Sequence, residues 1–291
     1  MDHAHILAPV TPAGRFLFMK RIPALSAEQL VAALAELSLP EGVLIGLGAQ
    51  LVADLNQKIP GLRPFPALSA GDLRIPTTPA DVVVRVTGAD PGEVLHRSNA
   101  LLDALPETLL VLDDTATYVY DGGRDLTGYE DGTENPDGDD AVAAAIIPED
   151  PSGLVEGSII AVQRWVHDLR HFASMSPTEQ NHTIGRDRVS NDELEAAPPS
   201  AHVKRTAQED FTPEAFVVRR SMPWSDHRGA GLVFVAFGHS LDPFEALLRR
   251  MCGLDDGIVD ALFKISRPVN GTVAWCPPVK DGRLDLRALG L

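Results

Sequence analysis

Hydrophobic and polar positions alternate along this chain in short, well-bounded segments. Arg15-Phe16-Leu17-Phe18-Met19 is an apolar run of strand length. Ser26 then opens a helix. Gln29, three residues on, completes a capping box, and Leu30, Ala33, Leu34 and Leu37 share one face. Gly42 to Leu47 predicts a second strand. After a proline-rich stretch from Pro60 to Pro79 comes Asp81 to Val86, rich in β-branched residues and read as a third. Pro91 to Ala104 reads as a helix and Leu109 to Tyr120 as a strand. The order β-α-β-β-α-β is the ferredoxin-like pattern.

The second half starts near Thr127 and uses similar elements. Strands are predicted at Ser158–Val166, Phe216–Ser221, Gly231–Phe237 and Thr272–Trp275, and helices at Pro177–Ile184 and Asp256–Ile265. A further helix starts at Asp242, with Pro243 at its first helical position and Glu245 in its first turn, and runs to about Arg250. We read an α+β chain of two halves, 1–126 and 127–291, packed as one unit without a flexible linker. The connections Gly132–Gly157 and Arg186–His202 are long, and long ordered loops are more often functional.

Composition narrows the function. The chain has 291 residues, 44% hydrophobic, enough for one large core or two modest ones. A net charge of -16 repels nucleic acid and anionic membranes. No apolar run approaches the roughly 20 residues of a membrane span. Met1-Asp2-His3-Ala4-His5 lacks the basic start and apolar stretch of a secretory signal, and no twin-Arg address follows. The two cysteines, Cys252 and Cys276, form no CxxC pair, so the expected compartment is the reducing cytoplasm. Gly46-Leu47-Gly48 follows a strand, but Leu51 stands where a dinucleotide site needs its third glycine. No P-loop, HExxH or GxSxG is present. His167 and His171 have helical metal-ligand spacing, yet Asp168 and Arg170 make their segment read as solvated.

The richest stretch is Gly128-Tyr129-Glu130-Asp131-Gly132-Thr133-Glu134-Asn135-Pro136. It is turn-forming and carries Asp131 beside a glycine, so backbone can approach a flat ligand and aim one acid at it. Downstream stand Ile184-Gly185-Arg186, Ser200-Ala201-His202-Val203 and Val217-Val218-Arg219-Arg220-Ser221-Met222-Pro223. Together with Ser158 to Leu169 and Ser266-Arg267-Pro268-Val269-Asn270-Gly271, they resemble the dye-decolorizing peroxidase family over essentially the whole chain. The compact length is similar to the P-type (B-type) bacterial subgroup. The resemblance implies two ferredoxin-like halves in a dimeric α+β barrel-like arrangement, antiparallel sheets with helices outside, and haem b in the second half.

It also implies roles. His202 would be the proximal ligand of the haem iron, with Asp260 taking its other N–H. An ordinary pair of Asp260 with Lys264 is the alternative. Asp131 would shuttle the peroxide proton. Arg219 would stabilise negative charge on the leaving oxygen and lower the Asp131 pKa. On a strand, Arg220 would face the other way. Arg186 would pair with a haem propionate, Thr133 and Glu134 would shape the haem edge, and Ser221 would contact distal waters. Phe237 reads as a distal wall or as simple core. A ferryl haem with a porphyrin radical would then oxidise dyes, phenols or other one-electron donors. Trp224 is the first aromatic to consider as an electron relay, against a plain packing role. The alternative function is haem binding, delivery or sensing with little peroxidase turnover.

Family relatives are often homo-oligomers, and some carry a C-terminal tail addressed to encapsulin shells. Asp281 to Leu291 follows the last strand with no long linker, so it reads as the terminal piece of the domain.

Overall fold

The computed structural model describes residues 4–148 and 153–290. Residues 1–3, 149–152 and 291 lie outside it, and with them parts of the N-terminal segment, the 132–157 connection and the C-terminal tail considered above. The first half contains α1 (Ala4–Leu7), β1 (Ala13–Arg21), α2 (Ala27–Glu36), β2 (Val43–Gly48), α3 (Ala49–Asp54), a small hairpin of β3 (Ser69–Ala70) and β4 (Leu73–Arg74), β5 (Val82–Gly88), α4 (Pro91–Ala104) and β6 (Leu109–Tyr118). The capping box of α2 forms: Ser26 accepts from the Gln29 N–H and the Gln29 side chain accepts from the Ser26 N–H.

The second half contains α5 (Gly138–Ala145), β7 (Ser158–His167), α6 (Leu169–Ser174), α7 (Pro177–Ile184), α8 (His202–Arg205), β8 (Val218–Arg219), β9 (Met222–Asp226), β10 (Gly229–Gly238), α9 (Asp242–Met251), β11 (Ser266–Pro268), β12 (Thr272–Cys276) and the hairpin β13 (Val279–Lys280) with β14 (Arg283–Leu284). Three expectations change. The Gly132–Gly157 connection carries a helix, α5. The strand expected over 216–221 shrinks to β8, and a separate β9 begins at Met222; between them the Ser221 hydroxyl takes the Val235 N–H where the ladder would use a carbonyl. The helix expected over 256–265 is a 3-10 turn at Ala261–Lys264. Gly257 has φ +79°, and the Asp260 carboxylate caps Leu262 N–H instead of continuing a helix.

All main strands join one antiparallel sheet, in the order β6-β1-β5-β2-β12-β7-β10-β8, with β9 and β11 also attached. Each half repeats the same internal order, so the fold is α+β with two ferredoxin-like sheets joined where β2 pairs β12. β6 also packs against β9, so the sheet curls into a nearly closed barrel with helices outside. Strand alternation therefore separates two interiors. Phe16, Phe18, Leu44, Val83, Ile160, Val162, Trp224 and Phe237 fill the inside of the barrel. Leu17, Val84, Ile159, Trp165 and Ala236 pack outward against helices such as α2, α4 and α9. Among the described residues no helix is long and apolar enough to cross a membrane.

On β10, Gly231 lies close against β7: an added Cβ would stand 2.2 Å from the Trp165 carbonyl oxygen. That oxygen already accepts the Trp224 indole N–H at 2.9 Å. Gly231→Ala should cost about 1–3 kcal/mol in urea unfolding, and an unchanged midpoint would show that the two strands separate freely here.

Candidate active site

Outward-facing side chains of β7 and β10 form one wall of a cavity that is partly open to solvent. Gln163, Trp165 and His167 come from β7, Leu232 and Phe234 from β10. Phe244, Leu247, Leu248 and Met251 of α9 close it from the helix side. Its walls are mostly apolar, with a few convergent polar groups, as in small-molecule and cofactor sites. Asp131, His202, Arg219, Thr206, Gln208 and Ser266 bring polar atoms to the same space. Three residues singled out in sequence, over eighty positions apart at the extremes, thus share one cavity.

His202 opens α8. Its Nδ1 meets Asp260 Oδ2 at 2.8 Å, and the Asp260 side chain is completely buried. Asp260 Oδ1 accepts the Leu262 N–H at 2.8 Å. A carboxylate accepts only, so Nδ1 carries a proton and, in the neutral ring, Nε2 is the lone-pair nitrogen. Asp260 is thus paired with His202 rather than Lys264.

Asp131 sits in a loop pinned at both ends. Upstream, the Tyr129 hydroxyl donates to Asn181 and its ring packs on Phe172. Gly128 has φ +86°, and a Cβ there would meet the Arg188 guanidinium at 2.6 Å. Downstream, Asn135 pairs with the Arg219 backbone: its Oδ1 accepts the Arg219 N–H at 2.7 Å and its Nδ2 donates to the Arg219 carbonyl at 3.1 Å. This clamp joins the loop of Asp131 to the strand of Arg219. Sequence reading quoted Asn135 but gave it no role. Arg219 lines the cavity with a buried Nε that has no acceptor among the described residues, whereas Arg220 turns away to the Leu7 and Ala8 carbonyls.

His167 is a further site residue that sequence reading set aside. Its Nε2 meets Asp125 Oδ2 at 3.0 Å and its Nδ1 meets the Ser266 hydroxyl at 2.6 Å. The other Asp125 oxygen accepts from the Thr127 N–H and hydroxyl. Burial acts to raise the Asp125 pKa, but the His167 and Thr127 hydrogen bonds outweigh it and hold the carboxyl below its usual range. Asp131 goes the other way. Burial pushes its pKa up, and the Asp125 charge adds to this, while Arg219 and His202 oppose it without prevailing. The expectation that Arg219 lowers this pKa holds only for its separate contribution. The signal for His167 was Asp125, 42 positions away, a separation that no motif reveals.

The remaining expected residues lie around this core. Arg186 is buried, pairs with the exposed Glu134 carboxylate and donates to the Asn191 carbonyl at 2.9 Å. The Thr133 hydroxyl accepts from Asn191 Nδ2 at 3.1 Å. Ser221 is spent on the β10 backbone. Phe237 points into the barrel, away from the cavity, and Leu232 and Phe234 are the β10 residues that line it. Trp224 is also inside the barrel, bonded through its indole to the carbonyl of cavity-lining Trp165.

Comparison with known proteins is consistent across sequence and fold. Residues 122–281 match the family described as "Dyp-type peroxidase, C-terminal". The dye-decolorizing peroxidase of Mycobacterium tuberculosis is 28% identical over 94% of this chain and 88% of its own length. DyPB from Rhodococcus jostii RHA1 superposes with a TM-score of 0.83 at 28% identity, covering 94% of this chain and 95% of that one. A variant of that protein solved in complex with heme has the same TM-score at 26% identity, with 94% of each chain covered.

Because the Asp131 pKa is raised on folding, the unfolded chain releases this proton at lower pH, and stability falls as pH rises through the raised value. Asp131→Asn should therefore raise the urea midpoint of the ligand-free chain at pH 7, with the gain shrinking as pH drops towards 3.8. A destabilised variant at pH 7 would mean the ionised carboxylate is well solvated in place.

Proposed function

The chain belongs to the Dyp-type peroxidase family, and from that membership we propose that it binds haem b in the β7–β10–α9 cavity and uses hydrogen peroxide to oxidise dyes, phenols or other one-electron donors. The observation that carries this reading is the pairing of His202 with buried Asp260 in the same cavity as Arg219 and Asp131. The residues suit the cofactor. Apolar side chains flank the space, an imidazole offers one free nitrogen, and the buried Arg219 Nε, Gln163 Nε2 and Trp165 Nε1 have no acceptor among the described residues. When bound, haem supplies a redox-active iron that peroxide oxidises and one-electron donors reduce again.

His202 would hold the iron through Nε2, and Asp260 would fix the ring and make it a stronger donor. Asp131 would accept a proton from one oxygen of bound peroxide and return it to the other as the O–O bond breaks. Arg219, always protonated, would stabilise negative charge on the departing oxygen. Asn135 would keep these two residues in register, and the apolar walls would exclude bulk water. Arg186 would receive a propionate in exchange for the exposed Glu134, with Thr133 and Glu134 at the cofactor's edge. We include in the proposal the division into halves 1–126 and 127–291, a homo-oligomer and a cytoplasmic setting. The buried, unpaired Cys252 and Cys276 support the last. Leu284, Leu286 and Leu289 pack into the main core, which supports a structural tail rather than an encapsulin address.

Haem titration of the purified chain should give a Soret band, and one equivalent of peroxide should shift it. His202→Ala should abolish or loosen haem binding. A chain without a Soret band removes the proposal; a band that peroxide leaves unchanged moves it to haem binding without turnover.

Turnover should also report on Asp131. The working form is the carboxylate, so the rate should fall as pH drops through a pKa above the ordinary 3.8. Asp131→Asn should remove that acid limb while leaving haem content unchanged. An acid limb that persists in Asp131→Asn would assign the proton transfer to another group.

A further inference from the structure

Inside the barrel lies a charge that the cavity chemistry does not use. Arg85, on β5, is 4% exposed and stands between Phe16 of β1 and Leu44 of β2 in the strand register. Its neighbours on β5, Val84 and Val86, point outward, so alternation sends the guanidinium into the barrel. Other buried arginines have partners: Arg205 takes Asp256 at 2.7 and 2.8 Å, and Arg186 takes Glu134. Half-buried Arg164 takes Asp113 at 2.7 Å. Arg85 donates no side-chain hydrogen bond to any described residue, and its Nε is buried with no acceptor. The charges near it make this worse. Arg220 repels it, and the buried Cys276 thiol is held neutral by burial. Burial and Arg220 bring the Arg85 pKa down to about 10, which still leaves a cation at neutral pH. Among the described residues, Arg220 itself is met only by carbonyls, of Leu7, Ala8 and Arg219.

A buried cation without a counter-charge is strongly destabilising. We propose that the barrel interior holds a small monovalent inorganic anion of chloride size against the Arg85 guanidinium. Size follows from the walls. Phe16, Leu44, Ile160 and Phe237 are apolar and almost fully buried, so they offer no partner to a larger polar ligand. The site is on the opposite face of the sheet from the haem cavity, and the inference is independent of the peroxidase reading.

The test compares full-length chain in sodium chloride and in sodium gluconate at equal ionic strength. Chloride should raise the wild-type melting midpoint by roughly 2–4 °C in a saturable way. Arg85→Met, which keeps the volume and removes the charge, should lose the chloride response and melt no lower than wild type in gluconate. Equal chloride responses in the two proteins, or none in wild type, would overturn the site. A direct arm needs no variant. Crystals of the wild-type chain grown in sodium bromide should show an anomalous peak within hydrogen-bond reach of the Arg85 guanidinium, and an empty position there would also overturn it.

Discussion

A carboxylate with no solvent exposure tolerates few arrangements, and Asp260 has found one of them. Both oxygens are used, one by the His202 ring and one by the Leu262 N–H. Removing either donor would strand a buried charge, so the local chain has little freedom to move. That rigidity passes to the imidazole, whose Nδ1 is fixed by the acid and whose Nε2 is left to face the cavity. The short α8 and the 3-10 turn after Asp260 are held together by this contact and by the Ala261 N–H to Ser200 carbonyl bond at 2.7 Å. The rest of the cavity is arranged around an imidazole that cannot rotate away.

The second organising feature is a split between two acids. Asp125 and Asp131 are six residues apart and both are poorly solvated, yet they move in opposite directions. Asp125 is held charged by His167 and Thr127. Asp131 is raised by burial, with the Asp125 charge adding to it, and the Gly132 N–H and nearby cations do not offset this, so it holds its proton to higher pH. Divergent environments for neighbouring acids are how one site separates a fixed charge from a mobile proton. His167 therefore matters through what it does to Asp125.

The first half of the fold was legible because its strands and helices have clean periodicity and local caps: α4 over Pro91–Ala104 matches the sequence reading to the residue. The second half was harder. Asp260 looked like an interruption in a helix because its partner, His202, is 58 positions away and the turn is set by a left-handed Gly257. Ser221 looked like a strand residue because only the Val235 N–H opposite reveals that its hydroxyl enters the ladder. The trio His202, Asp131 and Arg219 was found by motif, whereas Asn135 and His167 act through backbone and through a distant acid. Such roles appear only when the loop and the strand are seen together.

β7 serves two chambers at once. Gln163, Trp165 and His167 face the cavity, while Ile160, Val162 and Arg164 face the barrel, where Arg164 holds Asp113. Losing or gaining one residue within this strand would exchange the two sets, sending Arg164 towards the cavity and the indole of Trp165 into the barrel. Point substitutions along β7 can be absorbed one chamber at a time, but a single-residue change in its length cannot. Over the history of such a chain, the spacing of this strand should drift far less than its composition.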